Sequence, residues 1–153
     1  MKVYYATMTG NAESLASTLV KKTEDMSLDA ELVNLDDVLT EDLKEVQTAV
    51  FIVSTWGEGE PPDDAEPFWE DLEFSKSRLE NLRYSVFGLG DSGYAEFNGF
   101  AKVLDARLQA MGAVPVIPRV DADIDYDDDF DSWEASVFSV FSQQDSKSFE
   151  GAV

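Results

Sequence analysis

Short apolar runs alternate with amphipathic stretches along almost the whole chain. The runs at residues 2–6, 30–34, 49–54, 83–89 and 114–118 are rich in β-branched and aromatic residues and predict strands. The unbroken hydrophobicity of Ala49-Val50-Phe51-Ile52-Val53 predicts a strand buried on both faces of a parallel sheet. Residues 12–26, 39–46, 65–72, 95–111 and 130–142 carry helical periodicity. In the first of these, Leu15, Ala16, Leu19 and Val20 share a face beside Lys21, Lys22 and Glu24. Strict alternation of strand and helix predicts an α/β fold, a doubly wound five-stranded parallel sheet with helices on both faces. Trp69, Phe100, Trp133, Phe138 and Phe141 fall on helix faces that such a sheet would cover. Residues 1–142 form one expected domain, and 143–153, where apolar periodicity ends, an expected flexible tail.

Composition narrows the chemistry. At 153 residues and 44 % hydrophobic, the chain can bury a core without disulfides or metals. It has no apolar run of about 18 residues, and strand-like sequence begins at Lys2 with no signal peptide before it. A cytoplasmic, membrane-free protein is therefore expected. Cysteine and histidine are both absent. This excludes thiolate chemistry, Cys/His zinc sites and the usual neutral-pH base. A bound cofactor or carboxylates must supply any chemistry. The formal charge of −21 repels nucleic acid and favours basic protein partners.

In open parallel sheets, ligands bind beyond the carboxyl ends of the strands. The loop after the first strand is Thr7-Met8-Thr9-Gly10-Asn11-Ala12-Glu13. Hydroxyls and backbone amides at a helix N-terminus suit an anion, and Gly10 lets the backbone curl. The loop lacks GxxxxGK[ST], GxGxxG and any Lys or Arg, so it suits a phosphate that is held but not transferred. The alternative is simple capping of the helix by Thr9 or Asn11. The loop after the third strand is Thr55-Trp56-Gly57-Glu58-Gly59-Glu60-Pro61-Pro62. Trp56, flanked by glycines, can face a flat ligand or fold back as a lid on the core. The loop after the fourth strand runs from Gly88 through Leu89, Gly90, Asp91 and Tyr94 to Phe97 and Asn98. It repeats the design, with Tyr94 as a second aromatic wall. A phosphate nest between two aromatic loops outlines a slot for a planar ring with a phosphate tail, which is the shape of FMN.

These residues resemble a family. Thr7-x-Thr9-Gly10-Asn11-Ala12 resembles the flavodoxin phosphate loop. The stretches from Ser54 to Ala65 and from Gly88 to Asn98 resemble the second and third FMN loops of the flavodoxin domains in sulfite reductase and cytochrome P450 reductase. The resemblance covers the chain to about Phe141, and its nearest form is the stand-alone short-chain flavodoxin of the MioC type. It implies the sheet order 2-1-3-4-5, of which flavodoxin is itself the standard example. It also implies phosphate held by Thr7, Thr9 and the amides from Met8 to Ala12, with the flavin ring between Trp56 and Tyr94. The Gly57–Glu58 peptide would lie near the flavin N5, with Thr55, Gly59, Leu89, Gly90, Asp91, Phe97 and Asn98 around the ring. Asp121 and Asp123 would close the site. Trp56 stands where the reductase domains more often carry Tyr, and Asn11 where a hydroxyl residue is common.

The implied function is single-electron shuttling from a basic flavodoxin or ferredoxin reductase to a redox acceptor protein, by a monomer with no catalytic side chain and no resident metal. Acidic residues crowd 56–73 and 121–131 without one base, an expected docking rim. The acids at 121–131 lack the glycine and terminal Glu of an EF-hand. A phosphoacceptor receiver domain needs acids directly after the first strand, where Thr7 and Met8 stand instead. An FMN-dependent quinone or nitro reductase and a flavin-free acidic adaptor are the remaining alternatives.

Overall fold

The computed structural model describes residues 1–151 except 8, 9, 27, 56–58, 94 and 95, with side chains as far as Phe141. The elements are β1 (Lys2–Ala6), α1 (Asn11–Asp25), β2 (Glu31–Asn34), α2 (Thr40–Leu43), β3 (Thr48–Ser54), α3 (Glu66–Phe74), β4 (Arg83–Leu89), α4 (Gly99–Ala110), β5 (Val114–Pro115), β6 (Val120–Ala122) and α5 (Asp127–Gly151). Short 3₁₀ turns, Leu35–Asp37 and Asp63–Ala65, precede α2 and α3. The sheet is parallel throughout, in the order β2-β1-β3-β4-β5, with β6 also paired to β4.

Strand alternation divides the core in two, as a sheet buried on both faces requires. Val50 and Ile52 face α1 and α5, where Ala12, Ala16, Leu19, Phe130, Trp133 and Val137 meet them. Phe51 and Val53 face α3 and α4, against Phe68, Leu72, Phe100, Leu104 and Leu108. Trp133 is buried and its indole N–H donates to Ser85 Oγ at 2.8 Å, so the one polar atom of the ring is satisfied inside the core. Trp69 stands edge-on to Phe100 at 5.7 Å.

Several elements depart from the pattern in the sequence. The fifth strand is two pieces. β5 pairs with Arg83 and Tyr84, and β6 rejoins β4 at Phe87, Gly88 and Leu89. Pro115 and Pro118 carry no N–H for the ladder, so the chain leaves the sheet between them and the return at Val120. α4 starts at Gly99, not residue 95, because Asn98 is left-handed at φ 53° and cannot sit inside a helix. α2 is a single turn of four residues. α5 begins at Asp127, where three aspartates meet the positive helix end, and its backbone remains helical to Gly151, past residue 142.

Candidate FMN site

The pairing register brings Ala6, Val53, Gly88 and Asp121 into one row across β1, β3, β4 and β6. The three glycine-containing loops therefore leave the sheet side by side at its carboxyl edge. The strand order reverses between β1 and β3, and the site lies at that crevice.

In the first loop, Gly10 takes φ 92° and is the N-cap of α1. An L-residue is strained there, although a Cβ would meet nothing within 4 Å. Thr7 Oγ1 accepts from Gly10 N at 2.8 Å, which pins the turn to the end of β1. Among the described residues no side chain caps the helix. Among the described residues nothing accepts from the amides of Asn11 and Ala12, so Asn11 does not serve as the cap. Ala12 is buried against the sheet and Asn11 is exposed. A helix start whose Asn11 and Ala12 amides have no acceptor among the described residues, with open space over its glycine, fits a phosphate monoester.

The second loop is tied to the third. Thr55 N donates to Leu89 O at 3.2 Å, and Thr55 Oγ1 accepts from Phe100 N, inside the first turn of α4, at 3.1 Å. Gly59 takes φ 100° and packs on Gly99, where an added Cβ would stand 2.7 Å from Gly59 Cα. Thr55 and Gly59 thus lock two loops into one wall.

In the third loop, Gly90 N donates to Ala122 O at 3.0 Å. Asn98 is 1 % exposed, and its Nδ2 also donates to Ala122 O at 3.0 Å. A Cβ on Gly88 or Gly90 would meet the Asn98 side chain at 2.6 or 2.9 Å. Asn98 and Leu89 therefore support the wall from inside the core. Asp91 folds its own turn by accepting from Gly93 N at 2.8 Å. Phe97 is half-buried, with Lys102 Nζ 5.6 Å from its ring centre. Asp123 accepts from Ser92 N at 3.0 Å and from Ile124 N at 2.8 Å, joining the third loop to the segment after β6. The hydroxyl and then the amide of Ser92 hold its carboxyl below the ordinary aspartate range. Asp121 is partly exposed and bridged by Arg119. Met8, Thr9, Trp56, Gly57, Glu58 and Tyr94 lie outside the described residues. Arg119 and the Ala122 carbonyl went unnoticed in the sequence, because nothing local shows that β6 is held by its neighbours.

Among the described residues no group of three or more potential metal ligands is gathered, and no helix is long and apolar enough to cross a membrane.

Fold and register together define a doubly wound α/β domain whose three glycine-containing loops gather at the switch point of the sheet, where ligands of such sheets bind. The chain belongs to the flavodoxin family, whose model matches residues 3–133, and it is an FMN-binding electron-transfer flavodoxin. It is 41 % identical over 132 residues to the sulfite reductase [NADPH] flavoprotein alpha-component of Bacillus subtilis, covering 86 % of this chain and 22 % of that one. It is 36 % identical over 145 residues to the same component of Vibrio cholerae, covering 94 % and 24 %. The chain thus spans under a quarter of the length of these curated relatives, which place such domains in a reductase electron-transfer setting. A flavodoxin of Streptococcus pneumoniae superposes with a TM-score of 0.76 at 31 % identity, covering 88 % of this chain and 92 % of its own. A short-chain flavodoxin associated with a bacterial microcompartment gives 0.75 at 26 %, covering 88 % and 90 %.

Proposed function

We propose that this chain works as a one-electron carrier with no catalytic side chain of its own, loaded by a basic flavoprotein reductase and discharged to a redox acceptor protein. The observation that supports the proposal is the start of α1, where among the described residues no side chain accepts from the amides of Asn11 and Ala12, level with the ends of β3 and β4. Bound FMN supplies the electron chemistry, and the protein supplies binding, orientation and electrostatics.

Thr7, Thr9 and the amides of Met8 through Ala12 hold the phosphate. Trp56 and Tyr94 flank the ring, and the Gly57–Glu58 peptide adjoins its redox-active edge. Thr55, Gly59, Leu89, Gly90 and Asn98 fix the wall behind it, while Asp91, Phe97, Asp121 and Asp123 shape its outer margin. The acids after β3 and β6 flank the same margin, and they steer a basic partner toward it. A monomer in the cytoplasm suits this role.

Purified protein titrated with FMN, with its visible spectrum followed through stepwise reduction, tests the carrier role. Stoichiometric uptake with negligible NADPH oxidation by the protein alone is the expected result. Steady NADPH turnover would make it a quinone or nitro reductase. Failure to take up FMN would leave only an acidic adaptor.

A further inference from the structure

We propose that Arg119 is a positioning residue for the site: by bridging Asp105 of α4 to Asp121 of β6, it seats β6 against the carboxyl end of β4 and so sets the wall made by Gly90, Asn98 and Ala122. Only its FMN readout rests on the carrier reading above.

The argument begins with the broken fifth strand. β5 is hydrogen-bonded near Arg83 and Tyr84, and Val116 N still reaches Tyr84 O at 3.0 Å. The chain then passes Pro118, which has no N–H, before β6 pairs with Phe87–Leu89. No continuous ladder carries register from β5 to β6. A side-chain tie spans the gap instead. Arg119 Nη1 donates to Asp105 Oδ2 at 2.6 Å, and Arg119 Nε donates to Asp121 Oδ1 at 2.8 Å. The other oxygen of Asp105 accepts from the Tyr84 hydroxyl at 2.5 Å, with Gln109 Nε2 at 3.2 Å. Tyr84 of β4 and Arg119 beside β6 thereby meet on the Asp105 carboxylate of α4.

Burial decides how much this tie matters. An exposed ion pair contributes little. The Asp105 side chain, however, is only 8 % exposed and Arg119 26 %. A carboxylate buried that deeply needs its partner, and removing the partner leaves an uncompensated charge beside the core. The planar fork of arginine spans two carboxylates at once, which a lysine ammonium does less well. Arg119 stands immediately ahead of β6, two residues before Asp121, and its guanidinium reaches that carboxylate. The carbonyl of the next residue, Ala122, receives both Gly90 N and Asn98 Nδ2. Moving β6 therefore unseats the third loop directly, and that loop is a wall of the site.

The test compares wild type, Arg119→Gln and Arg119→Lys. Amide hydrogen exchange is measured on the flavin-free protein, and FMN dissociation constants are measured by quenching of flavin fluorescence. Arg119→Gln is expected to speed exchange at Gly90 about tenfold or more, while Val50 and Phe51 in the sheet centre stay slow. The FMN dissociation constant is expected to rise about tenfold, with Arg119→Lys between the two. Should Arg119→Gln not fold, Arg119→Lys and Asp121→Asn, which cuts one arm of the tie, give the same readouts. Wild-type Gly90 exchange in these variants, or an FMN dissociation constant unchanged from that of FMN-binding wild type, overturns the inference. If wild type takes up no FMN yet Gly90 exchange responds, the positioning role stands and the carrier reading falls.

Discussion

Gly99 and Gly59 show how much of the site depends on the absence of a side chain. Gly59 takes φ 100°, where a Cβ would also press on the Glu96 side chain at 3.0 Å, and a Cβ on Gly99 would run into the Gly59 backbone. Gly99→Ala forces a carbon to within 2.7 Å of the Gly59 backbone. Overpacking of this kind costs about 2 kcal/mol, which for a domain of this size lowers Tm by roughly 4–8 °C in a thermal melt. Asp123 acts through charge. Its carboxyl is held below the ordinary value, so its tie to Ser92 is complete above the unfolded pKa of about 3.9 and fades only as pH falls through the lower folded value. The Ser92 amide shift, followed by NMR, is expected to stay constant from neutral pH down to about 4 and to move below it. A midpoint at or above the ordinary aspartate value would contradict the assignment.

Among the elements, α5 and the split fifth strand depart furthest from the periodic pattern. Phe130, Trp133, Val137 and Phe141 all lie buried on one face of α5, at spacings of three and four that match the helix period. Beyond Ser142 come Gln143, Gln144, Asp145, Ser146, Lys147 and Ser148, which offer no apolar stripe. Truncation after Ser142 is therefore expected to change the unfolding free energy by no more than about 0.5 kcal/mol. A larger loss in urea denaturation would show that the last turns pack on the domain. The interruption of the fifth strand was partly legible, since Pro115 and Pro118 are visible in the sequence. The place where the chain rejoins β4 was not, because it depends on Tyr84, Asp105 and Arg119, which lie far apart in sequence. In the same way, Gly10, Gly59 and Gly90 announced turns, whereas the burial of Asn98 beneath two of the loop glycines follows from a left-handed residue ahead of α4.

For the whole molecule, charge is the dominant trait. A carboxylate about 10 Å from an added electron opposes it by roughly 1–2 kcal/mol at an effective dielectric constant of about 20. About 1.4 kcal/mol corresponds to about 59 mV for one electron. Most of these acids are at the surface, so salt screens them over a Debye length of about 10 Å at 0.1 M. Raising the salt from about 0.05 to 0.5 M is expected to raise the second reduction potential of the FMN-loaded protein by tens of millivolts in a redox titration. Reduction by a basic reductase should slow over the same range, because steering at the acidic margin weakens. A potential and a rate that both ignore salt would separate the charge from the function.

The alternation of apolar strands with amphipathic helices, and the glycine-rich loops that follow three of the strands, were set by sequence alone. These are local properties: side-chain period, bounded apolar runs and the backbone freedom of particular residues. The tertiary structure decided which of those loops touch, where the broken strand returns, and that Arg119 stands between two acids from different elements. These features rest on contacts between residues distant in the chain, and such contacts take their energy from burial that exists only once the layers have closed.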